Sequence, residues 1–372
     1  MKKSEYRTAM ADVLYLAGCE VQKQVPDRQR IAETDLETLY QSAQNHKLAA
    51  ITGMALESAG IKDIRFSKAI LLAQRKNILL ETDLAAVSAK LEEASIWHMP
   101  LKGTVLKDLY PRFGMREMAD CDVLIDAEKA KDIRRIMESL GYQSEEFGCG
   151  IHDFYFKKPV SGFEMHRALF SKTGPAELYT YYIDVRNRLV RDEGKQFRFH
   201  FTDEDFYLYM IAHEYKHYSE GGTGLRSLLD TYVFLKSKHL DSAYIAQEAK
   251  KMGLSDFEEK NRALAFHVFE GAELTPEETE RLDYMIFSGT YGTVENNAQN
   301  QIARKGRWGY FLSKFFLSRD EMIERFPVLE KAPVLFPVYR VWRVINGLIH
   351  YRKEYWARMK AILGMDGKKT DE

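Results

Sequence analysis

The sequence predicts an α+β protein in which a small unit of strands and helices, residues 96–202, lies between a helical segment, 1–95, and a second helical region, 203–372. Three observations predict it. Apolar residues recur at helical spacing before residue 95. The pattern then changes to short apolar runs bounded by Gly, Pro and charged residues. Helical patterning returns after Asp203 and continues to the end.

In chain order, helical spacing is clear over 6–16 and again over 69–91. Ser67 stands ahead of the second run, where a hydroxyl can cap the first turn, and the run contains neither Gly nor Pro, which suits a long amphipathic helix. Ile96-Trp97-His98-Met99-Pro100-Leu101 is short and apolar and is closed by Lys102-Gly103, as a buried strand would be. Thr104 offers a hydroxyl cap to a short helix. Cys121-Asp122-Val123-Leu124-Ile125 predicts a second strand, and Asp126 stands at the N-cap of a helix over 127–140. Strands are expected over 153–157 and 163–167, with Pro159 and Gly162 between them, and another over 197–201. Beyond residue 203 the clearest break is Gly221-Gly222-Thr223-Gly224, and Pro327, Pro333 and Pro337 interrupt the helices near the C-terminus.

Bulk properties narrow the function classes. Apolar residues make up 45% of the 372, enough for a sizeable core. Lys plus Arg total 54 against 55 Asp plus Glu, a formal charge of −1, so the net charge does not indicate nucleic acid or an anionic membrane as a partner. A local basic cleft keeps nucleic acid possible. Cys19, Cys121 and Cys149 show no CxxC spacing, so neither a disulfide framework nor a thiolate zinc site is expected and a reducing compartment is the easier reading. The charged start is followed by no apolar run and no stretch of about 18 apolar residues exists, so neither a signal peptide nor a membrane span is expected. These features predict a cytoplasmic protein.

The residues that carry chemistry centre on Asp120 and Asp122. Two apart at the entry to a strand, they point to one face, while Cys121 and Val123 point to the other. Converging carboxylates make a hard oxygen site suited to Mg²⁺ or Mn²⁺, which would bind phosphate oxygens and stabilise a leaving pyrophosphate. Without a cation the two would repel, so neutralising Asp122 is expected to leave stability level or raise it. Alternation also puts Glu164 and His166 opposite Phe163 and Met165; Glu164 is a third carboxylate, able to act as a ligand or as a base for an incoming hydroxyl. Lys102-Gly103-Thr104 follows a strand and opens a helix, a place where a phosphate can approach the backbone with Lys102 adding charge and Thr104 a hydroxyl. Arg116 lies four residues before Asp120, within reach of a triphosphate. Each piece also has a plainer reading, as surface acids, an ordinary strand-to-helix turn or a surface arginine.

Taken together, Leu101-Lys102-Gly103, Leu109-Tyr110-Pro111, Arg116, Asp120-Cys121-Asp122-Val123-Leu124-Ile125, Glu164-Met165-His166, Ala212-His213-Glu214-Tyr215-Lys216-His217 and Leu225-Arg226-Ser227-Leu228-Leu229-Asp230 resemble the family described as uncharacterised nucleotidyltransferase. That family belongs to the DNA polymerase β-like superfamily, and the resemblance is good over about 95–235. It implies a mixed-sheet catalytic core, with Asp120 and Asp122 as metal ligands and Glu164 as the third acidic position. Gly103 would stand in the superfamily's glycine-serine phosphate turn, with Thr104 in place of the usual Ser, and the stretch from Gly103 to Asp120 is long for that superfamily. An NTP of unknown base would be the substrate and the acceptor is unknown. A nucleotide-binding module that keeps the fold without activity is the alternative.

His213-Glu214-Tyr215-Lys216-His217 also matches HExxH, in which helical His residues one turn apart hold zinc and Glu214 serves as the base of a metallopeptidase. No downstream His or Glu follows at a familiar spacing, and Phe206, Met210, His213 and His217 share one helical stripe, so packing is the preferred reading. Lys216, with Arg226 after the glycine-rich turn, can grip a nucleotide's phosphates. The basic, aromatic run over 339–360 is read as an amphipathic helix on its own domain, with RNA or a membrane surface as the alternative.

Overall fold

A computed structural model describes residues 2–350, apart from 291, 293 and 316. The chain opens with α1 (Lys3–Val21), α2 (Arg28–Ala32), α3 (Leu36–Asn45), α4 (Ala49–Ser58) and α5 (Ile64–Glu93). The long helix α5 starts earlier than its apolar spacing predicts. Asp63, and not Ser67, caps it, taking the Arg65 N–H on its carboxylate at 2.9 Å. Ser67 lies inside the helix with its hydroxyl on Glu57.

The sheet unit follows as β1 (His98–Leu101), α6 (Gly103–Leu106), β2 (Cys121–Ile125), α7 (Ala130–Ser139), β3 (Gln143–Glu146), β4 (His152–Lys157) and β5 (Ser161–His166). After α8 (Ala176–Tyr182), β6 (Val190–Arg191) and β7 (Phe199–His200) form a separate small ladder. Most strands fall where the apolar runs place them. Strand β3 does not show in the sequence, because its residues Gln-Ser-Glu-Glu are polar and it sits at the sheet edge. Asp126 caps a single 3₁₀ turn that leads into α7. Thr104 does not cap α6; its hydroxyl donates to the Leu101 carbonyl.

The five-stranded sheet has the order β1-β2-β5-β4-β3. Strands β2 and β5 are parallel and the other neighbours antiparallel, so the sheet is mixed. One face packs Cys121, Val123, Ile125, Phe163 and Met165 against Leu80, Val87 and Leu91 of α5 and Ile133 and Met137 of α7. The opposite face meets the C-terminal helices, where Met99, Leu101 and Leu124 join Phe206, Tyr209 and Ile211.

Those helices are α9 (Asp203–Glu220), α10 (Leu225–Ser237), α11 (Ser242–Lys251), α12 (Ser255–Glu270) and α13 (Pro276–Ser288). Further on come α14 (Val294–Phe315), α15 (Arg319–Arg325), α16 (Val328–Lys331) and α17 (Phe336–His350). The first helices and these later ones share a core: Met10, Leu16, Leu39, Ile51 and Met54 pack with Leu225, Leu229, Tyr232, Leu264 and Met285. His46 locks that junction, accepting the Leu225 N–H on Nδ1 and turning Nε2 to the Ile286 carbonyl. The run expected to be helical over 339–360 is helical to His350, and the rest of it lies outside the described residues. Among the described residues no helix is long and apolar enough to cross a membrane.

Candidate active site

The sheet face turned towards the C-terminal helices carries the acids. Pairing of β2 with β5 sets Asp122 opposite Glu164 and Leu124 opposite His166. Side chains alternate along each strand, so Asp122, Glu164 and His166 all rise from one face. His166 Nε2 lies 2.9 Å from Asp122 Oδ1 and 3.4 Å from Glu164 Oε2. Its other nitrogen, Nδ1, is buried without a partner, which assigns the ring proton to Nε2 as donor to Asp122. One ligand atom from each of Asp122, Glu164 and His166 lies within 4.8 Å of the others. Asp120 stands outside that trio, at the entry to β2, although it lines the same cleft.

The cleft holds about 360 Å³ between this sheet face and helices α9 and α10. Lys102 reaches into it from the end of β1 and places Nζ 2.6 Å from Asp122 Oδ1. Burial works against both charges. The Asp122 carboxylate nevertheless keeps the Lys102 pKa raised, and Lys102 and His166 hold the Asp122 carboxyl well below the usual range. Asp120 is the less compensated acid, with Lys102 and Lys76 offsetting its charge only in part. Burial first, then repulsion from Asp122 and Glu164, pushes its pKa up to about 6. Sequence alternation assigns the repulsion to both aspartates alike; the structure separates them, because Asp122 accepts hydrogen bonds from Lys102 and His166, whereas the attraction of Lys102 and Lys76 does not outweigh burial and the acidic neighbours at Asp120.

Other sequence-selected residues fall differently. Gly103 lines the cleft, but its lack of a side chain serves packing: a Cβ there would meet the Met118 Sδ at 2.8 Å and collide with Arg116. Thr104 lies behind the wall and not on it, with its hydroxyl spent on Leu101. Arg116 lines the cleft, yet its guanidinium is buried and committed. Both Nε and Nη2 donate to Asp230 at 2.8 Å, and Tyr110 donates to the same carboxylate at 2.8 Å. This pair fastens the loop before β2 to α10, so in this structure Arg116 positions the site and has no free fork for phosphate. Arg226 lines the cleft and donates to the Glu117 carbonyl at 2.9 Å, while Lys216 does not line it.

His213, Glu214 and His217 of the HExxH match all line the cleft, with the two histidine Nε2 atoms 3.1 Å apart. Burial, then Lys102 and His217, hold the His213 pKa well below the usual value. Glu214 serves another partner set: its Oε2 accepts from Asn261 at 2.9 Å and Thr231 at 3.4 Å. Among the described residues no third His, Cys, Asp or Glu joins the two histidines in a ligand cluster. His166 is the residue that site selection from sequence missed, although it sits two positions from Glu164 on the same strand face.

The donor set fits a hard divalent cation. Asp120, Asp122 and Glu164 meet on one side of the cleft, the last two clustered with the His166 imidazole, and Lys102 and Lys76 only partly offset the charge of Asp120. Fold and site together define an α+β protein with an acidic cleft, edged by a lysine, against a mixed parallel–antiparallel sheet. The chain belongs to the family described as uncharacterised nucleotidyltransferase, which matches residues 32–270. That span takes in the whole sheet and helices α3 to α12, beyond the 95–235 over which the sequence motifs show the likeness. No curated protein and no solved structure matches the chain.

Proposed function

We propose that the protein transfers a nucleoside monophosphate from an NTP to an acceptor hydroxyl and releases pyrophosphate, with Mg²⁺ or Mn²⁺ held by Asp120, Asp122 and Glu164. The observation that carries this reading is the register of β2 on β5, which brings Asp122 and Glu164 together on the cleft face with Asp120 beside them. The family supports the nucleotidyl chemistry; the acids and the cleft support the residue roles.

When bound, the cation would neutralise phosphate charge and orient the triphosphate. Asp122 is held by His166, which fixes the orientation of its carboxylate. Lys102 and Arg226 reach the space above the acids and would take phosphate oxygens. Glu164, half-buried at the rim, accepts the proton of the acceptor hydroxyl as its oxygen attacks the α-phosphorus. The bond from that phosphorus to the bridging oxygen breaks and pyrophosphate leaves in line. Positioning and charge neutralisation do most of the work, as in other phosphoryl-type transfers. Arg116 contributes by holding the loop that presents Asp120.

The test is incubation of the protein with each labelled NTP, divalent metal and a cell extract, followed by identification of what becomes labelled. Label that depends on metal and vanishes in Asp122→Asn supports the proposal. Nucleotide binding without transfer to any acceptor would instead identify an inactive binding module.

A further inference from the structure

We propose that Lys102 is a placeholder that closes the acidic site to free divalent metal and yields it to a metal–triphosphate complex. The inference rests on the nucleotidyl-transfer reading above and adds what the site admits: the metal and the triphosphate enter together.

Three observations carry it. First, the Lys102 ammonium lies 2.6 Å from Asp122 Oδ1, and His166 Nε2 lies 2.9 Å from the same oxygen. A cation that needs this oxygen must displace the ammonium. Second, the pair is sheltered, with 21% of the Lys102 side chain and 9% of the Asp122 side chain exposed. A displaced ammonium would therefore stay close to the incoming dication with little water to screen the repulsion. A triphosphate changes that balance, because its oxygens give the ammonium a new anionic partner as the metal takes the old one. Third, the backbone of Lys102 has φ 49° and ψ −120°, a region that favours glycine. The chain keeps a long cationic side chain at a position where the backbone alone would prefer none. It is the side chain, aimed at Asp122, that the site uses.

The test measures metal binding, independent of turnover. Mn²⁺ binding is followed by electron paramagnetic resonance of the free ion for wild type, Lys102→Met, Lys102→Gly and Asp122→Asn. Equilibrium dialysis then follows an equimolar mixture of Mn²⁺ and inorganic tripolyphosphate. Lys102→Gly relieves the positive φ, so a folding defect will not be shared by both lysine variants. We expect both to bind free Mn²⁺ at least about tenfold more tightly than wild type, since the competing charge is gone. Wild type should retain the Mn²⁺–tripolyphosphate complex at concentrations where it retains no free Mn²⁺. If wild type binds free Mn²⁺ as tightly as both lysine variants, and Asp122→Asn abolishes that binding, the placeholder is wrong and the metal site stands. If no protein retains Mn²⁺ in either form, the metal site itself falls and takes this inference with it.

Discussion

Asp122 and Glu164 stand opposite each other on the parallel pair β2–β5, and His166 touches both carboxylates. Sheet register produces this meeting. A one-residue slip of β5 would turn Glu164 and His166 into the core and bring Phe163 and Met165 to the cleft. The apolar packing of Phe163 and Met165 against α5 and α7 therefore fixes the acid cluster from behind.

The partners of Asp122 revise what its replacement should do. Asp122→Asn removes the charge that holds the Lys102 ammonium, so the metal-free protein should lose stability, by about 1–3 kcal/mol for a hydrogen bond between charged groups. It should also lose metal-dependent nucleotide binding. Urea unfolding without metal, together with nucleotide titration with and without Mg²⁺, checks both. An unchanged unfolding midpoint would mean that Lys102 finds an equally good partner elsewhere.

Asp120 should behave in the opposite way. Its charge is opposed by burial and by two neighbouring carboxylates. Asp120→Asn should leave the metal-free melting temperature at neutral pH level or raise it, while weakening Mn²⁺ binding in the presence of nucleotide. A variant that unfolds at lower temperature than wild type would show that Asp120 has a structural partner in solution.

Arg116 and Asp230 are a buried bidentate pair. Asp230→Asn should cost roughly 3–5 kcal/mol, because it leaves the guanidinium buried without its counter-charge. Replacing both, as Arg116→Met with Asp230→Leu, should recover much of that loss. A role for Arg116 in phosphate binding alone would instead leave stability near wild type in the Asp230 variant, and a denaturant series on the three proteins separates the two.

Which parts were legible in the sequence follows from what kind of interaction makes them. Strands β2 and β5 and the placement of Asp122 and Glu164 were readable because alternation is local. Helices α1, α5 and α7 were readable from apolar spacing and capping residues, though the start of α5 was not: the sequence points to Ser67 as its cap, and the fold places Asp63 there. Strand β3 was hidden because its polar residues owe their pairing to β4 and not to a buried face of their own. Arg116 and Thr104 read as phosphate contacts in the sequence, where their hydrogen-bond partners Asp230 and the Leu101 carbonyl, which packing sets, do not show. Asp230 lies more than a hundred residues from Arg116, beyond any local pattern. His166 was visible on the right face of its strand, but nothing local says that it touches Asp122.

Zinc should be absent. Among the described residues no third ligand joins His213 and His217, and Glu214, which a metallopeptidase would turn towards the metal-bound water, gives its Oε2 to Thr231 and Asn261. Elemental analysis of protein purified without added metal should find zinc well below one per chain. Stoichiometric zinc that disappears in His217→Ala would restore the peptidase reading.

The same glutamate gives a pH prediction. Glu214 is 5% exposed, and its Oε1 is buried without a hydrogen-bond partner. Burial pushes its pKa from 4.5 up to about 7, with Arg281 and Asn261 only partly opposing the rise. Between those pH values the folded chain holds a proton that the unfolded chain has released, so stability falls as pH rises through this window. Below it both states are protonated and nothing is lost; above it the loss is complete. Glu214→Gln cannot ionise, and its amide oxygen can still accept from Asn261. Relative to this variant, wild type should therefore lose on the order of 1–3 kcal/mol between about pH 5 and pH 8. Thermal or urea unfolding of both proteins at the two pH values measures the difference, and titrations of other groups cancel between them. If the gap between wild type and Glu214→Gln does not change with pH, Glu214 titrates at its ordinary value and its carboxylate must find in solution a donor for Oε1.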